Sequence, residues 1–276
     1  MTDVYRATAH REVRRGDDTT IRYTVSGPAD GPTLVLLHGW ACDRSDFDAM
    51  TRHVPEDCRV LAVDLAEHGE SRSTRTVWTM EEFARDVVAV LEAESAGATV
   101  VAGHSMGGAV AVEVGRMLPE RVSRVVALDA LHYLALFPAQ EEARAQKVLR
   151  AFREDFPAAV RGLVAGGTPE GTDPALTETY TAKMSRVRQP AGLRSIEGLV
   201  SWDLDAALRE TSQPITVFAI RALTSQKAID RYQDRLEFVL VDLGTHHFPA
   251  ESPEATAELL AELTTPQGLP SSTRTV

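Results

Sequence analysis

Short runs of β-branched and aliphatic residues set the frame for this chain: Thr33–Leu37 (TLVLL), Arg59–Val63 (RVLAV), Thr99–Ala102 (TVVA), Arg124–Leu128 (RVVAL), Ile215–Ile220 (ITVFAI) and Glu237–Val241 (EFVLV). Several are apolar throughout rather than alternating, which is the pattern of strands covered on both faces in a parallel sheet. Parallel strands need long crossover connections, and helical patterns lie between these runs. Glu81–Ala93 places Phe83, Val87, Val90 and Leu91 near one face, and Ala109–Leu118 is a second apolar helix ended by Pro119. The alternation predicts the α/β class, with a doubly wound, mostly parallel sheet. Arg11–Arg14 and Thr20–Val25 read as an antiparallel edge hairpin turning at Gly16-Asp17-Asp18.

From about Leu131 to Val200 no convincing strand occurs, only helical stretches such as Gln140–Phe152 and Tyr180–Arg188, divided by a Gly/Pro-rich link at Ala165–Pro174. The expected organisation is therefore a core from 1–131 and 201–276, with 132–200 as a mostly helical cap. Pro266–Val276 reads as a frayed tail.

Apolar residues make up 43% and charged ones 25%, which fits a packed globular domain and neither a disordered nor a fibrous chain. The formal charge of -11 argues against a nucleic-acid partner, because phosphate binding needs a basic surface. Cys42 and Cys58 are too few for a disulfide scaffold, which suggests a reducing compartment. The N-terminal segment has no apolar core, and nothing approaches the roughly 18 apolar residues of a spanning helix. A cytoplasmic enzyme acting on a small molecule, with no membrane partner, is the expectation; the oligomeric state is not readable.

Gly103-His104-Ser105-Met106-Gly107 matches G-x-S-x-G between a buried strand and a helix of small residues. Glycines on either side let a sharp, strained turn form and leave the serine exposed at the helix N-terminus, where the dipole favours developing negative charge. The plainer alternative is a Ser/Gly turn that only caps the helix. A serine hydroxyl needs an oriented base nearby. Of eight histidines, His246 and His247 are best placed, directly after the last strand and before a helix at Pro253–Leu263. Leu36-Leu37-His38-Gly39-Trp40 ends the first core strand, so the backbone N–H groups of Trp40 and Met106 are candidates for an oxyanion hole. His38 reads as a turn-stabilising residue. No spacing suggests a metal, and no cofactor is implied.

In this order and spacing LLHGW, VDLAEHGES (Val63–Ser71), GHSMGG and THHFPAESPE resemble the α/β-hydrolase family over about residues 20–131 and 205–264. The resemblance implies a serine hydrolase of the esterase type. It favours His247 as base, because Phe248-Pro249 follows it, with His246 as the alternative. VDLAEHGES departs from the family's usual D-x-R-G-H-G-x-S loop, with Ala66 for the arginine and Glu67 for a glycine; Asp64 and His68 read as structural there. The strand Ile215–Ile220 runs on without the usual carboxylate. Some relatives place the acid one strand earlier, which points to Asp129, with helix capping as its plainer role and Asp230 or Asp242 as alternatives. The reaction implied is transfer of an acyl group from a carboxylic ester or lactone of a small apolar or aromatic compound. Trp40, His104, Tyr133, Phe137 and Trp202 are candidate substrate contacts, with Leu134, Leu136, Met184 and Leu199 as further lining; each of these apolar residues also reads as packing.

Other chemistries run on such a scaffold. The chain also resembles the cofactor-free 3-hydroxy-4-oxoquinoline 2,4-dioxygenases in its Trp40, its early acid and its His-Phe-Pro loop. There a His–Asp pair acts as base on the substrate hydroxyl, although Met106 stands where those enzymes tend to carry histidine. A catalytically silent ligand receptor is a third reading. A dehalogenase would want aspartate at position 105.

Overall fold

The computed structural model describes residues 8–16, 18–137 and 142–264; position 17 of the edge turn, the start of the predicted helix at Gln140 and the C-terminal tail lie outside them. In chain order the elements are β1 (Thr8–Arg14), β2 (Thr20–Ser26), β3 (Thr33–Leu37), α1 (Asp48–Thr51), β4 (Arg59–Val63), α2 (Met80–Ala93), β5 (Thr99–His104), α3 (Met106–Met117) and β6 (Val122–Leu128). Then come α4 (Glu142–Glu154), α5 (Phe156–Gly166), α6 (Pro174–Met184), α7 (Ala191–Ser201) and α8 (Leu204–Glu210). The chain returns to the sheet with β7 (Ile215–Ile220), α9 (Gln226–Tyr232) and β8 (Glu237–Val241), and closes with α10 (Phe248–Glu251) and α11 (Pro253–Thr264).

The strands form one 8-stranded sheet in the order β1-β2-β4-β3-β5-β6-β7-β8. β1 and β2 pair antiparallel at one edge, and β2 pairs antiparallel with β4; from β4 to β8 every pairing is parallel. The two faces carry separate cores because side chains alternate along each strand. Val35, Leu37, Val101, Val125 and Val217 face α2, α3 and the helical insertion, while Leu34, Leu36, Val100, Val126 and Phe218 face α1, α10 and α11. That double covering is why the strands read as unbroken apolar runs. Phe83, Val87, Val90 and Leu91 are the buried stripe of α2, whose N-cap Thr79 accepts from the Glu82 N–H.

The loop after β4 accounts for one of the two departures in VDLAEHGES, Glu67. Glu67 adopts a φ of 61°, in the left-handed region, and its carboxylate accepts from the Ser73 N–H at 2.8 Å and from Arg188 at 3.0 Å. Arg188, which follows α6, also donates to the Gly69 and Ser71 carbonyls, so Glu67 helps tie the segment after α6 to the loop after β4. Asp64 accepts from the Arg44 and Glu70 N–H groups and pairs with the Arg44 guanidinium. The His68 ring is buried and donates through Nδ1 to the Ala66 carbonyl.

Candidate active site

At the β5–α3 junction the main chain turns so sharply that Ser105 takes φ 52° and ψ -119°, outside the regions L-residues normally occupy. The neighbouring glycines allow it by closeness rather than by their own dihedrals. A Cβ on Gly103 would stand 2.0 Å from the Gly107 carbonyl oxygen, and one on Gly107 2.4 Å from that of Leu37. Strand β3 ends against the same turn, where a Cβ on Gly39 would lie 3.2 Å from that of Ser105. His38 fixes this approach: its Nδ1–H donates to the Gly39 carbonyl at 2.7 Å, and Nε2 accepts from the Leu65 N–H at 3.0 Å. Trp40 is fastened from the insertion, its indole N–H donating to the Gly192 carbonyl at 2.8 Å.

Asp129 is the hub of the opposite wall. It follows β6 directly, with φ 46°, and its own N–H donates to the Phe218 carbonyl at 2.7 Å. The fully buried carboxylate accepts from the Ile220 N–H at 2.8 Å and His132 Nε2–H at 3.0 Å on one oxygen. On the other it accepts from His246 Nδ1–H at 2.6 Å and from the Tyr133 hydroxyl. Burial by itself would raise its pKa, but the hydrogen bonds from His132 and His246 outweigh that and hold the carboxyl far below the usual range.

The histidine paired with Asp129 is therefore His246 and not His247, which the sequence motif favoured. His247 meets a different partner: its ring stacks on Tyr180 with centroids 3.7 Å apart and planes 12° from parallel. Burial, with His246 and His104 nearby, holds its pKa well below the ordinary value, so it is neutral. His104 is pushed down to about 3, by burial first and by His246 second, and its Nε2–H donates to the His246 carbonyl at 2.8 Å. Asp230 and Asp242 are engaged elsewhere, with Gln226 and Arg221.

Ser105, His104, Trp40, Tyr133, His246 and His247 share a cavity of about 880 Å³. Most of its remaining walls are apolar and come from the segment between β6 and β7, including Leu136, Val148, Phe152, Ala159, Leu163 and Met184, with Gly39 and Cys42 added from the loop after β3. Phe137 and Trp202, expected to touch substrate, do not line it. They pack edge to face in the core, with centroids 6.3 Å apart, and the Trp202 indole N–H donates to the buried Glu113 of α3 at 2.8 Å. Leu134 and Leu199 are likewise packing residues. The sequence reading missed His132, whose only signal was its place three residues after Asp129, and it gave Tyr133 no part in holding the acid. Among the described residues no group of His, Cys, Asp or Glu side chains could hold a metal ion, and no helix is long and apolar enough to cross a membrane.

Comparison with known proteins agrees with this architecture. A family model described as the alpha/beta hydrolase family matches residues 34–259. The chain is 26% identical over 270 residues to a 2-(acetamidomethylene)succinate hydrolase of Mesorhizobium japonicum, covering 92% of this chain and 95% of that one. It is 36% identical over 117 residues to a bifunctional esterase/perhydrolase of Acinetobacter calcoaceticus, covering 42% of each. Several other curated relatives are matched over only 36% to 44% of their own length. Among solved structures, an N-acyl homoserine lactone degrading enzyme superimposes with a TM-score of 0.77 at 24% identity, covering 91% of this chain and 98% of that one.

Proposed function

From the premise that the chain belongs to the alpha/beta hydrolase family, we propose that it is a serine hydrolase of carboxylic esters or lactones, with Ser105 as nucleophile, His246 as base and Asp129 as acid. The observation that carries this is the strained Ser105 opening onto the same cavity as His246, whose Nδ1–H is committed to a buried carboxylate. That bond fixes the tautomer, leaving Nε2 with the lone pair a general base needs.

In the proposed reaction Nε2 of His246 takes the Ser105 proton while Oγ attacks the substrate carbonyl. The imidazolium formed is stabilised by Asp129, which stays ionised because its donors keep its pKa low. The backbone N–H groups of Trp40 and Met106 donate to the tetrahedral oxyanion; removing such a donor typically costs about 10²–10³ in rate. His246 then gives its proton to the leaving alcohol, and water repeats the attack on the acyl-enzyme. The apolar walls of the insertion, read as a cap, suit an aliphatic or aromatic acyl or alcohol portion, and the esterase and lactonase relatives support that substrate class.

The test is a fluorophosphonate probe together with a panel of short aryl esters and lactones. Labelling on Ser105, ester turnover, and loss of both in Ser105→Ala are expected. Turnover kept in Ser105→Ala but lost in His246→Ala, with oxygen uptake on a hydroxyquinolone, would replace the acyl-enzyme by base catalysis from the His–Asp pair alone.

A further inference from the structure

The main chain of His246 is held from two sides. Its carbonyl accepts from His104 in the core, and its N–H donates at 2.8 Å to the carbonyl of Gly167, which caps the C-terminus of α5 in the insertion. Gly167 has an ordinary φ of -98°, so its lack of a side chain serves the approach: a Cβ there would stand 2.7 Å from the Cβ of His246. The next residue, His247, is clamped by the ring of Tyr180 from α6. The core holds this loop as well through the Glu251 carboxylate, which accepts from the Thr245 N–H at 2.7 Å and from its hydroxyl at 2.6 Å. Two consecutive loop residues thus take contacts from two different helices of the insertion.

We propose that the insertion is part of the acid–base apparatus: Gly167 and Tyr180 are positioning residues that hold the 245–247 loop so that His246 meets Asp129. This rests on the reading of His246 as the base. Its physical content is that neither residue needs to touch substrate to matter, because a displacement of about 1 Å in a reacting group can cost on the order of 100-fold in rate. Lifting α5 and α6 would free the base as well as open the cavity, so an insertion displaced from the core is catalytically silent rather than merely open.

The variants are Gly167→Ala, Tyr180→Ala and Tyr180→Phe, each read in two ways. With p-nitrophenyl acetate, too small to fill the cavity, Gly167→Ala and Tyr180→Ala should lower kcat by about 10- to 100-fold with KM little changed. Tyr180→Phe, which keeps the stacked ring and loses only the hydroxyl beside Glu251, should lose clearly less than Tyr180→Ala. Independently of turnover, the downfield proton resonance of His246 Nδ1–H should weaken or move in the two alanine variants and persist in Tyr180→Phe. Unchanged kcat with raised KM, an unmoved resonance in folded alanine variants, or a phenylalanine variant as impaired as the alanine one would each overturn the proposal. A wild type that neither turns over esters nor labels, but whose resonance responds as described, would sink the hydrolase reading and leave the positioning intact.

Discussion

The nucleophile and the base stand at one cavity, yet they are held by opposite kinds of construction. Ser105 is fixed by backbone: strand β5, helix α3, the end of β3, and glycines that let these approach within van der Waals limits. His246 is fixed by partners scattered along the chain: Asp129 after β6, His104 on β5 and Gly167 at the end of α5. Its neighbour His247 is held by Tyr180 on α6. A site built from local geometry announces itself in a short motif. One built from distant side chains does not, because which of two adjacent loop histidines meets the acid depends on what waits for it there.

The largest effect that can test this contrast lies at the histidines. His246→Ala should lower kcat/KM for an aryl ester by on the order of 10⁶-fold, about as much as Ser105→Ala, and the double variant should be no worse than either single one. His247→Ala should cost far less, about 100-fold or below, by loosening the loop. Equal losses at both positions would dissolve the distinction between base and clamp.

Next in size is the acid. Asp129→Asn should reduce the rate by about four orders of magnitude while the protein still folds, whereas Asp242→Asn and Asp230→Asn should leave it within twofold in the same assay. On the backbone side, Gly107→Ala forces a Cβ to 2.4 Å from the Leu37 carbonyl oxygen. It should cost about 2–3 kcal/mol of stability by urea denaturation. A neutral result would mean that the turn is looser than its geometry implies.

The last test is on pH. His68 and His104 are buried with pKa values pushed down to about 3 from an ordinary 6.5. Below about 6.5 the unfolded chain gains protons that the folded one refuses, so stability is whole above that pH and falls as pH drops towards 3. Each group contributes at most about 1.4 kcal/mol per pH unit. Asp129, held low in the fold, works in the same direction at the acid end. Urea midpoints that stay level from pH 6.5 to 5 would show that these rings are not kept neutral.

Much of the architecture was legible because its signals are periodic. Strands buried on both faces read as apolar runs, and α2 shows Phe83, Val87 and Val90 at helical spacing. Helix α3 starts three residues earlier than its apolar pattern suggests, because Met106, Gly107 and Gly108 carry little periodicity of their own. Packing and lining were not separable: Phe137, Tyr133 and Trp202 are all aromatic, but only Tyr133 faces the cavity. What removes Trp202 is Glu113, a buried acid on α3 that claims the indole N–H. No local rule couples residues that far apart.

Cys42 lines the same cavity as Ser105. Burial, and then the nearby Asp46, pushes its thiol pKa well above the ordinary value, so at neutral pH it carries almost no thiolate and is a poor nucleophile. An electrophile entering this chamber therefore meets two sulfur- or oxygen-bearing side chains of unequal readiness. The chamber is chemoselective by solvation: covalent inhibitors of acylating chemistry should modify the serine cleanly, and thiol-directed reagents should leave the protein active until it unfolds.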